Sequence, residues 1–122
     1  MTTRVSVADD GAQADERSDQ PTISADGRYV VFVSGSTNLV PRSMRLPQLF
    51  GHDLQTGATR VISVNSAGEG SDRGAGGGVQ GEAGTVVSAT GRVIAFMSGG
   101  RNLVPGDTNR SPDIFVQVQR PR

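Results

Sequence analysis

The chain has no cysteine and a single histidine, His52, among its 122 residues. The absence of cysteine excludes disulfides, thiolate metal sites and a cysteine nucleophile. A catalytic triad or a histidine metal site would therefore depend on His52 alone, and no Gly-x-Ser-x-Gly elbow of a hydrolase is present. We interpret His52 as a surface or edge residue of a strand. The sequence thus predicts a protein that is not an enzyme.

Excess charge and long apolar runs are also missing. The 12 basic residues balance the 12 acidic ones, so the chain lacks the basic excess that is typical of nucleic-acid-binding proteins. No apolar run approaches the roughly 18 residues of a membrane helix. Residues 1–7 lack the apolar core of a signal peptide. We therefore expect no nucleic-acid partner and no membrane insertion, whereas the compartment stays unknown.

A segment of 19 residues occurs twice in the chain. Residues 23–41 align with residues 87–105 at an offset of 64 (87 − 23), and 11 of the 19 aligned positions are identical. Chance would give about one identity at ordinary residue frequencies. The chain is therefore expected to be a single domain of two repeats. The expected boundaries are residues 9–64 for the first repeat and 65–122 plus 3–8 for the second, with a glycine-rich connection at 73–84.

Each repeat is predicted to be an antiparallel meander of short strands. The continuous apolar run of β-branched and aromatic residues at 29–33 is typical of a strand that is buried on both faces. Glycine tolerates positive φ, which favours tight turns at 25–27 and 55–57. No apolar spacing indicates a helix. The predicted strands are 21–24, 28–34, 48–54 and 59–64 in the first repeat, and 85–88, 92–98 and 113–119 in the second.

The second repeat has only three strands after the glycine-rich connection. Residues 3–7 resemble residues 59–64, which form the predicted fourth strand of the first repeat. An unpaired strand edge is an aggregation hazard that proteins tend to cover. We therefore predict that the N-terminal strand, residues 4–8, completes the second repeat.

These segments resemble TolB-type β-propeller repeats, which are WD40-like repeats of the PD40 class. The resemblance covers nearly the whole chain and implies an all-β fold of two four-stranded blades of a partial propeller. It also implies a periplasmic or extracellular location. The second copy departs from the pattern at Thr90, where the turn usually has Asp. The residues that carry the resemblance are 21–34, Asn38-Leu-Val-Pro41, 53–57, 59–61, Gly106-Asp-Thr-Asn109 and 113–116.

Two blades cannot close a ring, because closed propellers use about four to eight. The chain is then the remainder of a longer protein, an open pair of sheets, or one third of a homotrimer with six blades. The first functional hypothesis is a non-catalytic module that binds a protein or a small ligand. The alternatives are an accessory propeller piece of a larger hydrolase or transport system, and a degenerate truncated repeat without independent activity.

Two patterns that suggest ligand sites have more ordinary interpretations. Residues 76–81 match G-x-G-x-x-G, but a strand-like segment follows where a dinucleotide site needs a helix, so we predict a flexible linker and no cofactor. Asp107, Asn109 and Asp113 form a candidate metal site. Pro112 stands where a calcium loop has glycine, which favours an Asx turn instead.

Arginine recurs after the first tight turn of each repeat, as Arg28 and Arg92. A guanidinium that braces a neighbouring strand or carboxylate explains this recurrence better than a ligand does. We therefore predict a structural role for both residues.

Successive connections of an antiparallel meander alternate between two ends. The two short turns then share one end, the short-turn end, and the long connections at 35–46, 65–84 and 99–111 share the other, the long-loop end. Loops carry binding functions when a rigid scaffold presents them. We therefore predict that binding takes place at the long-loop end. The candidate binding residues are Arg42, Arg45, Arg101, Asp107, Asn109 and Arg110.

Overall fold

The fold consists of β-strands in a computed structural model that describes residues 1–41, 47–65, 68–70, 72, 85–98, 100, 102–106 and 113–119. No helix occurs among these residues, and the predicted all-β class is confirmed. The strands are β1 (Ser18–Ile23), β2 (Tyr29–Ser34), β3 (Gln48–Asp53), β4 (Thr59–Val61), β5 (Thr85–Val87), β6 (Val93–Ser98) and β7 (Asp113–Val118). The first and last residues of each strand differ from the predicted ones by at most three positions.

The strands form two antiparallel sheets. The first has the order β1-β2-β3-β4 and the second the order β5-β6-β7. Strand β2 is buried at all six positions, as its continuous apolar sequence predicts. The two sheets share a register, because Phe32 lies opposite Phe50 and Phe96 lies opposite Phe115. Both pairs stack, with ring centroids 6.0 and 5.8 Å apart, so the duplication of the sequence is also a duplication of structure.

The short turns use glycine as the sequence predicts. Gly27 and Gly57 have φ values of 74° and 79°, and Gly91 follows at 78° in the second sheet. Such values strain any residue with a Cβ atom. The first turn is further held by Asp26, whose Oδ1 accepts a hydrogen bond from the Arg28 amide at 3.0 Å. Tight turns at these places keep consecutive strands adjacent, which gives the meander.

The main core lies between the two sheets. One face of the first sheet contributes Tyr29, Val31, Val33 and Leu49, and the second sheet contributes Ile94, Phe96 and the partly buried Phe115. The Tyr29 hydroxyl donates a hydrogen bond to Gln119 Oε1 at 2.8 Å and so joins the two sheets. The burial of these branched and aromatic side chains is the main favourable term for packing one sheet on the other.

A second core covers the opposite face of the first sheet. Val30, Phe32 and Phe50 are buried there, with Val5 and Ala14 of the N-terminal segment packed against them. The first sheet is therefore covered on both faces, by the second sheet on one side and by the chain's own N-terminal segment on the other.

The prediction that residues 4–8 complete the second sheet is wrong. The sheet of described residues ends at β7, and Val7 pairs instead with Gln13 in an isolated antiparallel bridge. The physical reason is local. The Thr59 amide donates to Asp9 Oδ1 at 2.7 Å, and the Thr59 hydroxyl donates to the Val7 carbonyl at 2.6 Å. These bonds hold the segment on the first sheet, where Val5 packs against the outer core cluster.

The N-terminal segment is the structural counterpart of the connection between the two sheets. Val64 pairs with Gly70 as Val7 pairs with Gln13. The turns between the paired residues also match, since the amides of Ala8 and Asn65 donate to carbonyls four residues ahead at 2.9 and 3.0 Å. The resemblance of residues 3–7 to residues 59–64 therefore reflects a connection that leads into a sheet.

Candidate functional site

The antiparallel topology separates the two ends of the sheets as the sequence predicts. At the short-turn end, the Asp26 amide donates to the Ala89 carbonyl at 3.0 Å, and the Leu54 amide donates to the Arg28 carbonyl at 2.8 Å. These bonds tie the three short turns together. The β2–β3 and β6–β7 connections leave the sheets at the opposite, long-loop end.

The β2–β3 connection is held at its base by Asn38. Asn38 Oδ1 accepts from the Asp15 amide at 3.1 Å, and Asn38 Nδ2 donates to the Gln13 carbonyl at 2.9 Å. The Asp15 carboxylate in turn accepts hydrogen bonds from the Thr37 amide at 2.9 Å and the Thr37 hydroxyl at 2.7 Å. The hydrogen bonds from Thr37 lower the pKa of Asp15 below its usual value. One amide side chain therefore fixes the loop to the segment that leads into β1.

The β6–β7 connection repeats this arrangement with Asn102. Asn102 Oδ1 accepts from the Asp72 amide at 2.9 Å, and Asn102 Nδ2 donates to the Gly70 carbonyl at 2.9 Å. Asn65 Nδ2 adds a hydrogen bond to the Asn102 carbonyl at 2.9 Å. We call the Asn38 and Asn102 arrangements the asparagine clasps.

Each clasp is followed by a leucine that enters the core. Leu39 is buried in the cluster on the outer side of the first sheet, and Leu103 is buried in the cluster between the sheets. The repeated Asn-Leu-Val-Pro sequence thus combines a polar anchor with an apolar one. The long loops begin from fixed points, because both the amide and the neighbouring aliphatic side chain are held.

The sequence identified Asn38 and Asn102 as repeated positions but gave them no role. Their partners could not be aligned at the repeat offset, because the glycine-rich connection changes the distance in sequence between each asparagine and its aspartate. Asp15 and Asp72 are related by an offset of 57 (72 − 15), rather than the offset of 64 that relates the asparagines. An alignment of the connections themselves, which share Ser-Val followed by Gly and Asp, is the signal that would have found the clasps.

The predicted binding residues lie within eight residues of Asn38 or Asn102 in the sequence. All six lie outside the described residues, so the structure neither brings them together nor separates them: Arg42, Arg45, Arg101, Asp107, Asn109 and Arg110. Asp113, the third member of the candidate metal site, is the first residue of β7 and lies opposite Ser98. Among the described residues, no group of three His, Asp or Glu side chains is placed to hold a metal ion.

The interpretation of His52 as a surface or edge residue is wrong, because the side chain is buried in β3. His52 Nδ1 lies 2.8 Å from Thr59 Oγ1. The Thr59 hydroxyl donates its one hydrogen to the Val7 carbonyl, so it accepts the bond from His52 Nδ1–H. Burial lowers the pKa of His52, with Asp53 and Asp9 partly offsetting it. A neutral imidazole that links β3, β4 and the N-terminal segment is a structural feature.

Arg28 braces a carboxylate, as predicted. Arg28 Nε and Nη2 donate to the two oxygens of Asp53 at 3.1 and 2.9 Å. This pair, with help from the Gln55 amide, lowers the pKa of Asp53 to about 2. In the second sheet Val118 takes the place of Asp53, and no ion pair of Arg92 is found in the part of the chain that the structure describes. The prediction therefore holds for Arg28 and does not extend to Arg92.

Comparison of the chain with models of protein families, with curated proteins and with solved structures found no match. Within the described ranges, no helix is long and apolar enough to cross a membrane.

Proposed function

We propose that the chain is a non-catalytic, β-propeller-like binding module that recognises an anionic group of a protein or small ligand at its long-loop end. The observation that carries the proposal is the pair of asparagine clasps. Two loops that differ in sequence begin from the same kind of anchored base on the same end of the β-sheet scaffold. That is the arrangement in which loops most often carry recognition.

The charge of the loops selects the class of ligand. Four of the six candidate residues are arginines, whereas the chain as a whole has no net charge. Arginine binds carboxylate and phosphate oxygens through paired, charge-assisted hydrogen bonds. The β2–β3 and β6–β7 connections together have four arginines and one acidic residue, Asp107, and this balance favours an anionic partner.

The test uses a fluorescently labelled oligoglutamate peptide as the probe, with binding followed by anisotropy at about 0.15 M salt, where the screening length is about 8 Å. A loop variant replaces Arg42, Arg45, Arg101 and Arg110 with Gln. Each charge-assisted hydrogen bond contributes about 1.5–3 kcal/mol, so the loss of even one ordered arginine weakens binding by about tenfold or more. We therefore expect affinity to fall at least that far.

A matched control removes the same amount of charge elsewhere. The control Arg60→Gln/Arg92→Gln is compared with the two-arginine loop variant Arg42→Gln/Arg45→Gln, because Arg60 lies in β4 and Arg92 follows a short turn, away from the long-loop end. We expect this control to retain affinity within about twofold, because an exposed charge far from the bound group is largely screened. Equal losses in the two variants, or no binding by the unchanged chain, contradict the proposal.

A further inference from the structure

The second sheet carries a continuous apolar surface on the side that faces away from the first sheet. The cross-strand register places Val93 opposite Val118, Val116 opposite Ala95, and Met97 opposite Ile114, so these side chains share one face. We call it the outer face of the second sheet. Its described residues, none of them charged, are Val86, Val93, Ala95, Met97, Ile114, Val116 and Val118.

This face is unusually exposed for its composition. Ile114, Val86 and Val116 are 72%, 67% and 61% exposed, and Val118 is 55% exposed. Single exposed aliphatic residues are ordinary, whereas the largest contiguous apolar patch of a protein, typically about 300–600 Å², is often an interaction surface.

The duplication shows what covers such a face in this fold. Val93, Ala95 and Met97 correspond to Tyr29, Val31 and Val33 at the repeat offset of 64. In the first sheet those counterparts are 7%, 0% and 7% exposed, because the second sheet packs on them. The same pattern of side chains is therefore covered by a β-sheet in one repeat, whereas in the other Val93 is 37% exposed and Ala95 and Met97 are half-buried.

The described residues offer no free copy of the surface that covers the first sheet. That covering surface contains Ile94 and Phe96, whose counterparts in the first sheet are Val30 and Phe32. Val30 and Phe32 are only 8% and 3% exposed, with Val5 packed over them. A head-to-tail contact between copies therefore lacks an open acceptor face, whereas the outer face of the second sheet is open on every copy.

We propose that the outer face of the second sheet binds the same face of a second copy of this chain, which forms a symmetric two-sheet sandwich. A symmetric contact makes each copy both donor and acceptor of the same surface, which is the commonest arrangement of protein dimers. Aliphatic side chains on two such faces interdigitate across the roughly 10 Å that separates packed sheets. The absence of charge on the face removes like-charge repulsion between the copies. This interface is separate from the long-loop end and does not depend on the proposed function.

The size of the face sets the strength of the contact. Three strands of six residues or fewer extend about 14 Å across and about 20 Å along the strands, a footprint of roughly 300 Å². Stable complexes bury about 800 Å² per partner. The dimer is therefore weak and forms in a concentration-dependent way.

The test is the mass of the unchanged chain by sedimentation equilibrium between about 10 μM and about 1 mM, the range in which weak contacts dissociate. We expect the mass to rise from 12.7 kDa towards twice that value. Val116→Lys places an ammonium group in the centre of β7 and weakens dimerisation at least tenfold. Val86→Lys does the same from β5. Both positions are exposed in the monomer, so the far-UV circular dichroism and the melting temperature at low concentration stay unchanged.

The matched control is Ile23→Lys, which changes a 54% exposed residue on the outer side of the first sheet. A face-to-face dimer leaves Ile23 outside the contact, so this variant dimerises like the unchanged chain. A loss of dimer in both Ile23→Lys and Val116→Lys indicates head-to-tail association and overturns the proposal. It is also overturned by a mass of 12.7 kDa at every concentration, or by undiminished dimerisation of both Val116→Lys and Val86→Lys.

Discussion

Adding a methyl group at Gly51 tests whether Tyr29 holds the two sheets together. A Cβ atom at Gly51 would lie 2.6 Å from Tyr29 Cε2 and 2.7 Å from Cζ, well inside van der Waals contact. The base of the tyrosine is also closely packed, because Tyr29 Cβ lies only 2.5 Å from where a Cβ atom of Gly91 would be. Gly51→Ala therefore forces the tyrosine out of its place between the sheets.

The expected cost follows from two effects. Overpacking a filled core costs about 1–3 kcal/mol. The displaced hydroxyl also loses its hydrogen bond to Gln119, which contributes about 1 kcal/mol. We expect Gly51→Ala to lower the free energy of unfolding by about 2–4 kcal/mol. At about 4–8 °C per kcal/mol for a small domain, the melting temperature falls by roughly 10–30 °C.

The sign of this effect separates packing from backbone propensity. Alanine in a strand is intrinsically better than glycine by about 0.5–1 kcal/mol, so without the contact to Tyr29 the substitution stabilises the protein. Urea unfolding at neutral pH, followed by far-UV circular dichroism, measures the difference. Unchanged or increased stability of Gly51→Ala refutes the proposed role of Tyr29.

The second repeat supplies a compensating pair for a double-mutant cycle. Val93 and Val116 stand where the first repeat has Tyr29 and Gly51. Gly51→Val alone is expected to be strongly destabilising, and Tyr29→Val in the same chain is expected to recover at least about 1 kcal/mol of that loss, because residues in contact couple by about 0.5–3 kcal/mol. If the changes in the free energy of unfolding of the two single variants add up to that of the double variant, the side chains at positions 29 and 51 are not in contact.

The remaining predictions concern acid sensitivity. The pKa of Asp53 is lowered to about 2 by Arg28, so the stability that its carboxylate contributes is present above the unfolded pKa near 3.9 and is lost as the pH falls towards about 2. Urea unfolding across that range should show a loss of about 1–2 kcal/mol that is absent from Asp53→Asn, and an equal loss in both chains contradicts the assignment. The pKa of His52 is lowered by burial, so the unfolded chain binds the proton more readily and stability falls as the pH drops below about 6.5. His52→Gln, which copies Gln117 of the second repeat, should remove this decline, and its persistence would assign the decline to another group.

Much of the fold follows from local patterns in the sequence. The duplication, the buried strand β2 and the glycine turns each depend on residues close together in the chain, where periodicity and φ preferences act directly. The partner of Arg28 also follows in kind, because a recurring guanidinium beside a turn needs a nearby carboxylate or carbonyl. That partner is Asp53, 25 residues away, and no local rule supplies it.

The position of the N-terminal segment could not be predicted from local sequence patterns. An apolar strand-like segment gains burial equally by extending the edge of the second sheet or by covering the outer side of the first. The choice is made by long-range contacts, in which Thr59 binds the backbone of Val7 and the carboxylate of Asp9 across 52 and 50 residues. His52 illustrates the same limit, since its burial depends on that segment covering it.

The two repeats differ most where the first repeat fits a specific neighbour. Tyr29, Gly51 and Asp53 are replaced by Val93, Val116 and Val118, whereas the aliphatic positions between them stay aliphatic. Tyr29 needs the Gly91 turn and Gln119 of a following sheet, and Asp53 needs Arg28. In the second repeat, valines replace the tyrosine, the glycine and the aspartate. The resulting face is flat and aliphatic, and it has no ring, cleft or carboxylate that needs a specific neighbour. Two flat aliphatic faces pack closely against each other, which is the physical basis of the proposed symmetric contact between two copies.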